Sequence, residues 1–264
     1  MTEALHMKHI VKVYPNGVMA NKDVTLCVNQ GEIHALSGEN GAGKSTLMKI
    51  LFGEEQATSG EILINGTPVS ITSPQQAIRL GIGMVHQHFM LVPSLTVTEN
   101  MFLGRERRGK VALDNGSMEQ AAKKILDDLK IDISPNQIVG ELPVSKQQMV
   151  EIAKALSINA KILIMDEPTS SLTAREIEDL FRIIKKLRSE GKGIVYISHR
   201  LEELQHIVDR VTIMRDGQYI TSMNFADTTL DQIIANMVGR EITEKFPRVE
   251  SKKGKKIFEV KNLN

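Results

Sequence analysis

Short apolar runs alternate with helical patterns of apolar and polar residues along most of this chain. Each run is strand-sized, and turn or polar residues bound it. The predicted strands are residues 31–37, 61–65, 83–85, 161–165 and 193–198. After Thr173, apolar residues recur at helical spacing through Leu187, which predicts a helix with one face packed on a sheet. Strands that alternate with helices are typical of a mostly parallel sheet, so the predicted fold class is α/β.

Helix starts are marked by a Ser or Thr followed three residues later by Gln or Glu. This spacing lets the two side chains satisfy free backbone N–H groups at the helix N-terminus. The three candidates are Ser73 with Gln76, Ser117 with Gln120, and Thr173 with Glu176. Pro74 strengthens the first, because proline is favoured at the first helical position.

Three segments depart from the alternating pattern. Residues 5–28 contain two β-rich runs around a turn at 14–17, which predicts an N-terminal antiparallel patch. Residues from about 88 to 157 are mainly helical without a clear strand, which predicts a helical subdomain inserted into the α/β core. Asp216 and Gly217 stand between two apolar runs and predict a β-hairpin.

Composition narrows the class of protein. The chain has 264 residues, 33 Lys and Arg against 32 Asp and Glu, and a net charge of +1, so no nucleic-acid partner is expected from charge. The single cysteine, Cys27, excludes an internal disulfide and favours a cytoplasmic setting. We identify no signal peptide and no apolar stretch near the ~20 residues that span a bilayer.

The C-terminal stretch predicts a domain boundary. Residues 251–256 are basic and contain glycine, which is typical of a linker, and residues 257–263 resemble the first β-run of the chain. We therefore expect one domain over residues 1–250, followed by a linker and the start of a truncated second domain over 251–264. A frayed natural terminus is the alternative.

Residues 38–45 match the phosphate-loop pattern G-x-x-x-x-G-K-[ST]. Glycines allow successive N–H groups to point at phosphate oxygens, and the following helix adds the positive end of its dipole. Lys44 can reach the β- and γ-phosphates, and the Ser45 hydroxyl can bind Mg²⁺. A strand precedes the motif and a helical pattern follows it, as this chemistry requires.

A second element fits the same chemistry. Four apolar residues, 162–165, end at Asp166 and Glu167. A buried strand would deliver Asp166 beside the Mg²⁺, and Glu167 could polarise a water molecule for attack on the γ-phosphate. Such a strand end is common without any function, so its meaning depends on the phosphate loop.

Residues 38–46, 166–169 and 197–199 together resemble the ATPase subunits of ABC transporters over nearly the whole chain. The resemblance implies a P-loop NTPase fold with a RecA-like parallel sheet, and ATP and Mg²⁺ as ligands. It implies catalytic roles for Glu167, His199 and Gln87, and Mg²⁺ contacts from Ser45, Gln87 and Asp166. The implied nucleotide contacts are Tyr14, which would stack on adenine, and Ser37, Gly38, Glu39, Asn40, Gly41, Ala42, Gly43, Lys44, Ser45 and Thr46.

One motif departs from the family. In place of the signature Leu-Ser-Gly-Gly-Gln stand residues 142–146, with Pro143 at the serine position. Proline offers neither a hydroxyl nor an N–H, although Ser145 could substitute in part. In the family each signature loop completes the ATP site of a second unit, so we expect this chain to hold ATP well and to serve its partner's site poorly.

The resemblance is to the tandem ATPases of monosaccharide importers of the ribose and galactose type. It implies a second ABC ATPase domain, transmembrane permease subunits and, indirectly, a sugar-binding protein as partners, at the cytoplasmic face of the membrane. A related nucleoside importer is the alternative, because residues 81–92 resemble those ATPases. A soluble ABC ATPase of DNA repair fits less well, since the interval from Gln87 to Leu142 carries no long coiled coil. One of translation fits less well because a net charge of +1 is not the strongly basic character expected of it.

Overall fold

The computed structural model describes residues 2–87, 90–107, 109, 113–158, 160–239, 254 and 258–261. These residues form two sheets. The strands are β1 (Glu3–Val13), β2 (Met19–Asn29), β3 (Ile33–Ser37), β4 (Ser59–Ile64), β5 (Thr67–Val69), β6 (Ile82–Val85), β7 (Ile162–Asp166), β8 (Gly193–Ile197), β9 (Arg210–Arg215) and β10 (Gln218–Asn224). All five strands predicted from the sequence are present, with boundaries shifted by at most two residues.

The central sheet has six strands in the order β10-β9-β3-β8-β7-β6. Its pairs are parallel except β9 with β10, which form the hairpin predicted around Asp216 and Gly217. Successive residues of β7 face opposite sides: Ile162 and Ile164 pack into one apolar cluster, and Leu163 and Met165 into another. Both faces are therefore covered, as expected of a parallel sheet, and the predicted α/β class is confirmed.

The second sheet is antiparallel and has the order β2-β1-β4-β5. The β1–β2 hairpin turns at the predicted place, where the Tyr14 N–H donates to Val18 O at 2.9 Å. Leu5 and Leu26 of this hairpin belong to the same apolar cluster as residues of the central sheet. The antiparallel sheet thus packs on one side of the central core and brings the start of β2 toward the loop after β3.

The helices are α1 (Lys44–Phe52), α2 (Pro74–Arg79), α3 (Val97–Phe102), α4 (Asn115–Asp128), α5 (Val144–Leu156), α6 (Ala174–Ser189), α7 (Leu201–Leu204) and α8 (Leu230–Val238). Two predicted caps are confirmed: Ser73 accepts from the Gln76 N–H, and Thr173 and Glu176 form a capping box.

The predicted cap at Ser117 is wrong. Helix α4 begins at Asn115, and Asp114 Oδ1 accepts the Ser117 N–H at 3.0 Å. A carboxylate is as good an N-cap as a serine hydroxyl, and its charge also favours the positive helix end. The earlier acidic residue therefore sets the start of the helix.

The region predicted to be helical holds α3, α4 and α5. Its described residues include an isolated antiparallel bridge between Thr96 and Ile138. Met101 and Val150 lie in the same apolar cluster as Leu163 of the central sheet, so this region packs directly on the α/β core.

No helix among the described residues is both long and apolar enough to cross a bilayer. Of the predicted linker and second-domain start at 251–264, the structure describes residues 254 and 258–261, so that prediction lies largely outside the described residues.

Candidate functional site

A cleft of about 470 Å³ lies where the parallel strands end at one edge of the central sheet. The loops that follow β3, β6 and β7 meet there, because those strands run in the same direction. The cleft is lined by Val18, Met19, Ala20, Asn40, Gly41, Ala42, Gly43, Lys44, Ser45, Thr46, Gln87, Asp166, Glu167, Ile197, Asp216 and Gly217. Most of the predicted site residues therefore converge on one cavity.

The loop after β3 has the backbone that phosphate binding requires. Gly41 and Gly43 have φ of 84° and 93°, values that L residues adopt only with strain. Helix α1 begins directly after Gly43, so its first N–H groups and its positive dipole end face the cleft. Gly38 is also restricted, because an added Cβ would lie 2.3 Å from Met214 O.

Strand β2 supports this loop from the side. The buried Asn21 donates from Nδ2 to Gly43 O at 3.1 Å, and the Lys22 N–H donates to Gly217 O at 2.7 Å. A Cβ on Gly43 would lie 2.4 Å from Ala20 O. Strand β2 thus supports the phosphate loop through the Asn21 side chain and the Ala20 backbone, and the β9–β10 turn supports β2 through Gly217.

Lys44 folds back over its own loop. Its Nζ donates to Gly38 O at 2.8 Å and to Glu39 O at 2.9 Å. Burial lowers the pKa of Lys44, whereas the nearby charges of Asp166 and Glu167 act to raise it. A phosphate in the cleft would offer this ammonium group a charged partner in place of two carbonyl oxygens.

Glu167 lies between two of the other predicted catalytic residues. Gln87 Nε2 donates to Glu167 Oε2 at 3.1 Å, and His199 Nδ1 lies 3.1 Å from Glu167 Oε1. The Glu167 backbone has φ of 49°, and its N–H donates to Ile197 O at 2.9 Å. The carboxylate is thereby fixed at the open end of the sheet, next to the phosphate loop.

The oxygen atoms needed for a magnesium site are also at this edge. Asp166 is 7% exposed at the end of β7, and Ser45 and Gln87 line the same cleft. A carboxylate, a hydroxyl and an amide oxygen are ligands that Mg²⁺ accepts, together with waters and phosphate oxygens. The residues present fit this ion.

Some predicted residues lie outside the cleft lining. Ser37 is buried, while Gly38 and Glu39 supply the carbonyl oxygens that hold Lys44. Tyr14 is half-buried at the hairpin turn, with Lys12 Nζ 4.9 Å from the centre of its ring. The structure does not bring the Tyr14 ring into the cavity.

Other residues of the cavity were not predicted. Val18 and Met19 are exposed apolar side chains on its rim, and Asp216 and Gly217 close another side. The Asp216-Gly217 hairpin signal was visible in the sequence. Its place beside the phosphate loop follows from the pairing of β9 with β3, which no local pattern indicates.

The altered signature loop leads into α5, with Pro143 as the N-cap residue and without a side-chain cap hydrogen bond. Ser145 is partly buried, and its side chain lies near the Glu176 carboxylate. The hydroxyl that could have replaced the missing serine therefore has a carboxylate neighbour within the same chain.

The family match and the similar proteins all concern the ABC transporter family. Residues 21–170 match the family described as ABC transporter. The galactose/methyl galactoside import ATP-binding protein MglA of Escherichia coli (strain K12) is 51% identical over 98% of this chain and 51% of its own length. The ribose import ATP-binding protein RbsA 1 of Rubrobacter xylanophilus is 48% identical over 100% of this chain and 52% of its own length. The chain spans about half the length of these relatives.

Solved structures agree with the fold. The ADP conformation of MJ1267, an ATP-binding cassette of an ABC transporter, superposes with a TM-score of 0.79 at 26% identity, covering 91% of this chain and 100% of that one. A dimeric post-hydrolysis state of the cassette MJ0796 bound to ADP and Pi gives 0.74 at 28% identity, over 83% of this chain and 98% of that one.

Proposed function

The chain belongs to the ABC transporter family and has the P-loop fold of its ATP-binding cassettes, and from this premise we propose that it binds ATP with Mg²⁺ and hydrolyses it to power the import of a small sugar. The observation that carries the proposal is the single cavity in which the phosphate loop meets Asp166 and Glu167.

The phosphate loop binds the nucleotide in this proposal. The N–H groups around Gly41 and Gly43 and the start of α1 face the phosphates, and Lys44 exchanges its two carbonyl partners for a phosphate oxygen. Ser45, Asp166 and Gln87 would hold Mg²⁺, which supplies positive charge against the phosphate oxygens when bound.

Glu167 orients the attacking water. Gln87 and His199 each bind one oxygen of its carboxylate, so the side chain is held in one position rather than sampling several rotamers. In this proposal both partners also contact the γ-phosphate, which would couple its presence to the position of Glu167. Tyr14 remains the proposed adenine contact, and it requires the hairpin turn to bring its ring over the cavity.

Sugar import is inferred from the relatives. Import ATP-binding proteins named for galactose, methyl galactoside and ribose match nearly all of this chain. We infer that it works at the cytoplasmic face of the membrane, with permease subunits and a sugar-binding protein. The relatives are about twice as long as this chain, which supports a second ABC ATPase domain as the partner that completes each ATP site.

The test compares Glu167→Gln with Glu61→Gln, a change of an exposed glutamate on β4 outside the cleft. In the protein assembled with its permease subunits, E167Q should retain ATP binding and lose at least about 100-fold in hydrolysis, whereas E61Q should match wild type. Wild-type hydrolysis should rise with a sugar-loaded binding protein. Stimulation by a nucleoside-loaded protein instead would favour the alternative substrate, and full activity of E167Q would contradict the proposed role.

A further inference from the structure

A second carboxylate, Glu203, lies buried behind the catalytic loops. It belongs to the short helix α7 and is 8% exposed, whereas its neighbour Glu202 on the same helix is exposed. A buried carboxylate is costly unless hydrogen bonds or charges compensate it, so its partners indicate what it holds in place.

Three hydroxyl groups converge on one oxygen of this carboxylate. Glu203 Oε2 accepts from Thr169 Oγ1 at 2.8 Å, from Tyr196 OH at 3.2 Å and from Ser198 Oγ at 3.3 Å. The other oxygen, Oε1, accepts from Arg200 Nη1 at 3.1 Å. These contacts satisfy the charge with donors from two separate segments of the chain, the loop after β7 and residues 196–200.

The partners of Glu203 adjoin the catalytic residues in sequence. Thr169 follows Glu167 by two positions on the loop after β7, and Ser198 directly precedes His199 on the loop after β8. Ser198 Oγ also accepts the Arg200 N–H at 3.0 Å, so the backbone on both sides of His199 is tied to the network.

Tyr196 reinforces the arrangement from within the sheet. It is fully buried in β8, and burial together with the Glu203 charge raises the pKa of its phenol. The phenol therefore stays protonated and remains a hydrogen-bond donor to the carboxylate at any ordinary pH.

We propose that Glu203 is a positioning residue that holds the Thr169 and Ser198 loops in register, so that His199 and Glu167 stay within hydrogen-bond distance of each other. Glu203 does not line the cleft and acts only through these loops. The inference rests on the proposed ATP hydrolysis. A displacement of about 1 Å at a catalytic group can cost about 100-fold in rate, so loosening this network should lower turnover.

The experiment uses Glu203→Gln in the protein assembled with its permease subunits, with Glu202→Gln as the matched control on the same helix. E203Q should lower kcat by about 10- to 100-fold, the range found when residues that orient a reactive group are lost. Its KM for ATP should stay within about two-fold of wild type, because the phosphate loop is not touched. E202Q should leave both constants unchanged.

A double-mutant cycle separates this role from general destabilisation. In a His199→Ala background, Glu203→Gln should change kcat by less than about two-fold, since no imidazole remains to be positioned. If E203Q lowers kcat equally with and without His199, or if E202Q has the same effect, the inference is wrong.

If E203Q does not fold, two other variants test the same network, because Tyr196→Phe and Thr169→Val each remove one hydrogen-bond donor to Glu203. Thr169→Ser should restore the activity lost in T169V. Wild-type protein without ATP hydrolysis would overturn the proposed function, and this inference with it.

Discussion

Gly43 is a position in the phosphate loop where one added methyl group should be strongly destabilising. Its φ is 93°, and a Cβ there would lie 2.4 Å from Ala20 O and 2.8 Å from Asn21 Nδ2. Non-bonded carbon and oxygen atoms approach to about 3.3 Å, so Gly43→Ala must move the loop roughly 1 Å away from β2.

Two contributions set the size of the effect. A non-glycine residue at positive φ costs about 1–2 kcal/mol. The shift also breaks the 3.1 Å hydrogen bond from Asn21 Nδ2 to Gly43 O. Asn21 is fully buried, and its Oδ1 has no partner among the described residues, so the freed amide adds about 1–3 kcal/mol. The free energy of unfolding should fall by about 2–5 kcal/mol in total.

Gly41→Ala is the matched control. Gly41 has a similar φ of 84°, but a Cβ there meets nothing within 4 Å. This variant should lose only the backbone contribution of about 1–2 kcal/mol. Urea unfolding without nucleotide, followed by circular dichroism, compares the two on stability alone, because both glycines line the cleft. Equal losses in the two variants would refute the argument that β2 supports the loop through Gly43.

Three further predictions concern stability. Burial raises the pKa of Glu151, so the fold loses stability as pH rises above 4.5, the ordinary pKa of a glutamate. The difference in Tm between Glu151→Gln and wild type should therefore be more favourable to the variant at about pH 8 than at about pH 4. Burial lowers the pKa of His34, although the nearby Glu32 acts to raise it, so the fold loses stability as pH drops below 6.5, the ordinary pKa of a histidine. Between about pH 7 and pH 5, His34→Gln should lose less Tm than wild type, and an equal loss in both would contradict this. Thr173→Ala removes the cap of α6 and should cost about 1 kcal/mol in urea unfolding, whereas Thr173→Ser should cost almost nothing.

The parts of the site that could be predicted are those whose chemistry is local. A phosphate loop is defined by the order of glycines and Lys44 within eight positions, and the strand that ends at Asp166 is a single apolar run. Parallel strands carry their C-terminal residues to one edge, so these two elements could be expected to meet there. Lys44, Ser45 and Asp166 line one cleft, which agrees with that expectation.

The parts that could not be predicted depend on contacts between distant segments. Asp216 reaches the cleft because β9 pairs with β3, and Val18 reaches it because β2 packs beside the phosphate loop. Neither pairing leaves a periodic signal in the sequence. The Glu203 network was missed for the same reason, since an isolated glutamate on a four-residue helix has no motif. The wrong cap at Ser117 has a different origin, because two suitable N-cap residues lie within one helical turn.

One ABC ATPase unit is expected to hold ATP in its own cleft and to complete the ATP site of a second unit with its signature loop. The altered signature loop leaves the first function intact and weakens the second. The cleft keeps its phosphate loop and its carboxylates, but Pro143 removes one donor from the signature loop, and Ser145 lies near Glu176. Glu176 accepts from the N–H and the hydroxyl of Thr173 in the cap of α6, so this carboxylate belongs to the start of that helix. The N-terminus of α5 still carries the positive end of its dipole, which favours an anion without a side-chain cap. A second unit's ATP facing this loop would therefore meet a helix end without its usual hydroxyl, and we expect the two sites of such a pair to bind ATP alike while turning it over at different rates.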